Sequence, residues 1–263
     1  MGAQSNRGLF MTPVREYIQV AAGGATGGRF TLANLTDREA NIVVSVEQFT
    51  VEDYTYDYRF TPSKKDWVKL STNQLQLQAG KSREVSYEIK APEGATPGGY
   101  YFTIFATDML DTDRKVRVGE ALYVTVKGDL KLTSYIQNAS LPMVAFNSDI
   151  PFSFDINSTA NSHFFTYASG KLAGLGIESK SDEATHLMLP GTIRTIKGTI
   201  PAPVFPGVYQ ATYGYRVDDG QTITQTRYLV YAPLWFVALL VGAGLIGAAF
   251  WRRHRRTRPP TGS

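Results

Sequence analysis

Apolar and polar residues alternate along most of this chain. Val85, Tyr87 and Ile89 alternate with Glu84, Ser86, Glu88 and Lys90, and Leu122, Val124 and Val126 with Tyr123, Thr125 and Lys127. Phe152, Phe154 and Ile156 do so with Ser153, Asp155 and Asn157, and the run Tyr209, Ala211, Tyr213, Tyr215, Val217 repeats the pattern. A period of two places one face of a strand in a core and the other in water, as in antiparallel sandwiches. Before Pro233 no window carries a convincing helical period. Asn34–Glu39, Ala79–Ser82, Pro92–Gly99 and the Asp218–Gly220 hairpin supply the turns. The spacing predicts roughly seven to nine strands between Pro13 and Lys127 and about seven between Asp129 and Tyr231, enough for one immunoglobulin-like sandwich in each span.

The expected fold is therefore all-β, with two tandem immunoglobulin-like β-sandwiches followed by one transmembrane α-helix. Ala232 to Phe250 is an uncharged run of 19 residues, about enough at 1.5 Å per residue to cross a hydrocarbon layer roughly 30 Å thick. Trp235 and Trp251 flank it at interfacial positions, and Arg252, Arg253, Arg255 and Arg256 follow. Residues 1–12 read as a disordered N-terminus, 13–127 as a distal sandwich and 128–231 as a membrane-proximal one. Residues 232–251 form the span and 252–263 a basic cytoplasmic tail. No Pro/Ser-rich spacer separates the sandwiches, so they are expected to stack end to end. Phe30–Thr36 and Phe152–Thr159 both close an early strand in an Asn/Thr turn, a faint sign of duplication.

Charge sharpens the placement. Five of the 27 Lys and Arg residues (252, 253, 255, 256 and 258) follow the span with no acid among them, leaving 22 bases against 23 acids before it. The pI near 9.1 thus belongs to the tail, which argues against a nucleic-acid-binding ectodomain. Arginines next to a membrane favour the cytoplasmic side and attract anionic lipid, which puts the bulk of the chain outside a plasma membrane. The absence of cysteine removes disulfides and thiolate sites and suits a bacterial surface. Residues 1–11 lack the apolar stretch of a signal peptide. A misassigned start or a removed signal is the expectation, and a cytoplasmic tail-anchored protein the alternative.

Several stretches carry a family resemblance. In order they are Gly28–Asp37, Val44–Val51, Trp67–Leu70, Leu77–Ser82 and Ala91–Tyr101, then Asn161–His163, Gly170, Leu189–Arg194 and Phe205–Tyr209. The first group resembles the peptidoglycan-binding domain of the WxL-interacting protein family of Gram-positive bacteria and, more broadly, pilus-chaperone-like immunoglobulin folds. The second group resembles that family's membrane-proximal domain. The resemblance implies one domain holding cell-wall polymer and the other a partner protein, ahead of a single helix and a basic tail.

Candidate chemistry is sparse. The three histidines, His163, His186 and His254, build no obvious catalytic set, and no Gly-x-Ser-x-Gly elbow occurs. Glu52, Asp53 and Asp57 form one acidic cluster and Asp108, Asp111 and Asp113 another, without the turn glycine and spacing of a calcium loop. No metal or cofactor is expected, and no catalysis. Leu189–Thr192 is not a sortase signal, and Asn34, Asn138 and Asn157 head formal glycosylation sequons. Ala238/Gly242, Ala243/Gly247 and Gly244/Ala248 pair small residues four apart, as close helix packing requires.

Tyr54, Tyr56 and Tyr58 share one face if Tyr54–Arg59 is a strand. Facing inward they are core; facing outward they form an aromatic strip that stacks on sugar rings or binds a partner. Trp67 is core or part of that strip. The expected function is a membrane-anchored binding or adhesion protein whose partners are the lipid bilayer and cell-wall glycan or another surface protein. The alternative is a chaperone-like scaffold of a surface assembly that binds partner strands at a sheet edge. An exposed, uncharged edge strand favours the scaffold; an outward aromatic strip favours glycan.

Overall fold

A computed structural model describes residues 8–110, 117–218 and 220–256. Contacts between Cα atoms divide the chain into two compact units. The first holds the residues through Tyr135 together with Asn157–Phe164 and Leu187–Arg194; the second holds Ile136–Ile156, Phe165–His186 and everything from Thr195.

In the first unit, β1 (Leu9–Thr12), β3 (Ala25–Asn34), β8 (Ser82–Lys90) and β6 (Val68–Leu70) form a four-stranded sheet in the order β1-β3-β8-β6. The second sheet runs β2 (Arg15–Val20), β10 (Arg117–Val126), β9 (Gly98–Asp108), β4 (Ala40–Val51), β5 (Tyr58–Pro62), with β7 (Gln74–Leu77) also on β4. The core between them takes Phe30 and Leu32 from β3, Val85, Tyr87 and Ile89 from β8, and Ile42, Phe102, Ile104, Leu122 and Val124 from the opposing strands. Of these, Val85, Tyr87, Ile89, Leu122 and Val124 are residues that the period of two assigns inward.

Two local readings are corrected. Leu9–Thr12, expected to be disordered, pair with β3 from Leu9↔Asn34 to Thr12↔Thr31 because Met11 is a core residue. After Pro13 the chain crosses to the other sheet, where β2 runs parallel to β10. In β10, moreover, Tyr123 and Thr125 are buried along with Leu122, Val124 and Val126. The outer face of this sheet is not wet at that point. It carries a second layer of rings, in which Tyr123 lies 5.1 Å from Tyr17 and 5.3 Å from Phe49. At the start of β9, Gly98 adopts φ +149°, and a Cβ there would stand 2.6 Å from the Asn161 carbonyl oxygen, so only glycine fits.

Mostly within the second unit, β11 (Ser134–Ser140), β13 (Asp149–Ser158) and β17 (Ile193–Pro201) form a three-stranded sheet. The six-stranded sheet runs β12 (Val144–Ala145), β19 (Thr222–Tyr231), β18 (Gly207–Val217), β14 (Phe164–Gly174), β15 (Ile177–Lys180), with β16 (Ala184–Met188) also on β14. Its core is strongly aromatic: Phe152 packs 5.7 Å from Tyr213, and Phe154 6.0 Å from Tyr215. The topology repeats that of the first unit. The first strand is again split, β11 joining β13 while β12 runs parallel to β19. Phe30–Thr36 and Phe152–Thr159 close β3 and β13, which hold equivalent places.

The helix α1 (Leu234–Arg256) opens on Pro233, whose carbonyl accepts from the Phe236 and Val237 amides. Proline suits a helix start because its missing N–H has no partner there anyway. Leu234–Arg253 is long and apolar enough to cross a membrane, with mean hydropathy 2.1. The helix runs on through Trp251, Arg252 and Arg253, which are exposed. The side chains of Arg255 and Arg256, residues 257–263, and Asp111 and Asp113 lie outside the described residues.

Candidate binding edge of the first unit

The Tyr54–Arg59 alternation does not make a strand. Tyr54 and Tyr56 take φ of 69° and 65°, left-handed values that interrupt an extended chain. The Tyr56 amide bonds back to the Glu52 carbonyl and closes a turn. Pairing with β4 begins only at Val51↔Tyr58. The period was legible in the sequence, but the local turn outweighed it.

The three tyrosines therefore have three environments. Tyr54 is 47% exposed. Tyr56 turns inward: its hydroxyl accepts from the Leu189 amide at 2.8 Å and lies 2.6 Å from Thr192 Oγ1, while the Arg194 guanidinium sits 4.4 Å over its ring. Burial raises its pKa. Tyr58 stays half in water, at 43%, with its hydroxyl 2.8 Å from that of Tyr123. Trp67 lies in the sandwich core, 4.3 Å from Tyr100 and 6.1 Å from Phe102, with Lys65 over its ring.

Around Tyr58 the rings form a continuous layer. Phe49 is buried at its centre, 5.2 Å from Tyr58, 5.5 Å from Tyr101 and 5.3 Å from Tyr123. Phe60 stacks on Tyr58 at 6.0 Å with planes 9° apart and meets Phe105 edge-on at 4.9 Å. The Arg117 guanidinium lies 3.7 Å over Phe105 and pairs with Glu47 at 2.6 Å. His163 stands against Tyr17, Tyr101 and Tyr123 as part of this packing. The layer packs against β5 through Tyr58 and Phe60 while leaving all five of its residues exposed.

β5 and β7 pair with successive stretches of β4 and together form the outer border of the sheet. Among Tyr58–Pro62 and Gln74–Leu77 the only charge is Arg59, and it is paired to Glu52. The acidic clusters serve the fold. Asp53 accepts from the Ile193 amide at 2.8 Å. Asp108 is buried, accepts from the Asn41 and Leu110 amides, and pairs with Arg38 at 2.8 Å. Among the described residues no group of three His, Asp or Glu is placed to hold a metal.

One notable group was passed over in the sequence. Glu120 occupies the inward phase of β10, in step with Leu122 and Val124, and is fully buried. Neither carboxylate oxygen has a hydrogen-bond partner. Burial, with the charge of Glu16 added, pushes its pKa up to about 8. Glu16 in turn accepts from the Tyr87 hydroxyl. The signal available was a charged residue at an apolar phase.

No family model matches the chain. Inter-alpha-trypsin inhibitor heavy chain H2 of Mesocricetus auratus is 22% identical over 117 residues, which is 44% of this chain and 12% of that protein. Among solved structures, the class 5 fimbriae chaperone CfaA is 11% identical with a TM-score of 0.45, over 86% of this chain and 99% of that one. A chaperone–tip adhesin complex of CFA/I fimbriae is 8% identical with a TM-score of 0.43, over 86% and 99%. The PapD-like domain 7 of human CEP192 is 11% identical with a TM-score of 0.36, over 49% and 92%.

Proposed function

We propose that this chain is a membrane-anchored surface scaffold that holds a partner protein by adding one of the partner's strands to the β5–β7 border. One observation carries the reading: along that border β5 is exposed throughout and β7 at Gln74 and Gln76, and the two strands bear a single, already paired charge. Exposed edges offer unpaired amides and carbonyls, and proteins usually blunt them with lysine, proline or a bulge. Here only Pro62, at one end of β5, does so. Tyr58 and Phe60 give an incoming strand a rigid aromatic surface to pack on. The tyrosine strip that would stack on a glycan is not assembled, since Tyr56 is tied to Leu189 and Thr192.

In this reading α1 is the anchor, Arg252 and Arg253 face the cytosol, and the sandwiches lie outside. The positive-inside bias supports that orientation, and the resemblance to the WxL-interacting family supports a Gram-positive surface. The reading assigns no reaction to the chain.

To test the edge, the full chain in detergent is panned against displayed strand-forming peptides, and amide hydrogen exchange locates the selected ones. Protection of the β5 and β7 amides is the expected result; binding that leaves them unchanged sinks the edge reading. For orientation, the cysteine-free chain allows Ser134→Cys and Gly262→Cys to be labelled separately with an impermeant maleimide on intact cells. Labelling at position 134 alone is expected, and the reverse pattern overturns surface display.

A further inference from the structure

A second feature lies on the outer face of the six-stranded sheet of the second unit. The strand register sets three rows side by side: Tyr167–Arg216–Thr222, Ser169–Gly214–Thr224 and Lys171–Thr212–Thr226. The middle row has no side chain at its centre, while longer side chains rise in the rows on both sides. The result is a groove of about 430 Å³, walled on its third side by Ser181 and Glu183. Such a volume is in the range of small-ligand sites, roughly 300–1,000 Å³. The floor is built in: a Cβ on Gly214 would stand 2.1 Å from the Ile223 carbonyl oxygen.

The chemistry of the walls selects a ligand. Ser169, Thr212, Thr224 and Ser181 offer hydroxyls, each able to donate and accept. At one end the Arg216 guanidinium lies 4.3 Å over the Tyr167 ring, and the Tyr167 hydroxyl donates to Asp218 at 3.1 Å. Those two bonds fix a flat platform. Acids and bases balance locally: Arg216 pairs with Glu183 at 3.4 Å, Lys180 and Lys171 meet Glu178 at 2.7 and 3.8 Å, and Asp218 beside Tyr167 makes three acids for three bases. With acids and bases equal in number, the groove offers a polyanion little net attraction. A peptide cannot extend the sheet here, because β14 and β19 bond to β18 on both sides.

We infer that this groove is a binding site for a neutral oligosaccharide. Hydroxyls that donate and accept match sugar hydroxyls, and the Arg216 guanidinium, held over the Tyr167 ring, adds donors at the end of the groove. The site lies in the second unit and is independent of the β5–β7 edge, so either can fail without the other.

The test uses the full chain in an amine-oxide detergent, which avoids sugar headgroups. Maltotetraose, cellotetraose and tetra-N-acetylchitotetraose serve as neutral probes and tetragalacturonate as an anionic one, followed by saturation-transfer NMR and titration calorimetry. Saturable binding of at least one neutral probe is expected, weakened about tenfold or more in Ser169→Phe and unchanged in Thr61→Lys at the other site. If Ser169→Phe melts early, Thr224→Trp fills the same row from an exposed position and is read instead. The inference is overturned if no neutral tetrasaccharide saturates the protein, if the filled groove binds as well as the native one, or if tetragalacturonate binds best.

Discussion

Glu120 gives the most decisive test of the first sandwich. Its carboxyl is fully buried, both oxygens lack partners, and Glu16 lies near it. In the unfolded chain it titrates near the ordinary 4.5, whereas in the fold it holds its proton up to about 8. The folded state therefore binds more protons between those values. Its stability is fully present below about pH 4.5 and is lost as the pH rises through 8. At 1.36 kcal/mol for each full pH unit inside that window, and less near its two ends, the loss from pH 5 to pH 8 is ~3.5 kcal/mol. For a domain of this size that is a fall in Tm of about 10 °C. Glu120→Gln keeps the shape and removes the titration. Calorimetric melts of the wild type and Glu120→Gln at pH 5 and pH 8 measure the difference. The variant should melt at nearly the same temperature at both, and be markedly more stable than the wild type at pH 8. An identical pH dependence in the two proteins would falsify the assignment of the burden to this carboxyl.

Other expectations follow from single contacts. Tyr56→Phe removes an acceptor from the buried Leu189 amide and should cost about 1–3 kcal/mol in a thermal melt; no loss means the turn is not held there. Phe102→Ala, at a position with 0% exposure, should cost about 3–5 kcal/mol by denaturant titration. Gly214→Ala sets a methyl against the Ile223 carbonyl and should destabilise the second sandwich by more than the same change at Gly80, which has open space around it but a φ of +69°.

Much of the architecture was legible along the chain because burial on one sheet face imposes a period of two. Val85, Tyr87 and Ile89, and the run from Tyr209 to Val217, point inward as their spacing requires. The hydrophobic helix was equally plain, since an uncharged run of that length has few other uses. What the period could not show was which outer faces would be covered. Tyr123 and Phe49 look like ordinary outward positions until strands far apart in sequence bring Tyr17, Tyr58 and Tyr101 beside them.

The same limit explains the tyrosines and the groove. Tyr54–Arg59 has the spacing of a strand, but Tyr56 finds its partners at Leu189 and Thr192, more than a hundred residues on, and the backbone turns to reach them. Gly214 is one glycine among 24, and only cross-strand register places it between Ser169 and Thr224. Local sequence determined the strands, their inward faces and the long apolar helix, because those depend on periodicity and on transfer from water. Pairing between distant strands decided the edge, the second aromatic layer and the groove, because each is made by residues that no spacing rule connects.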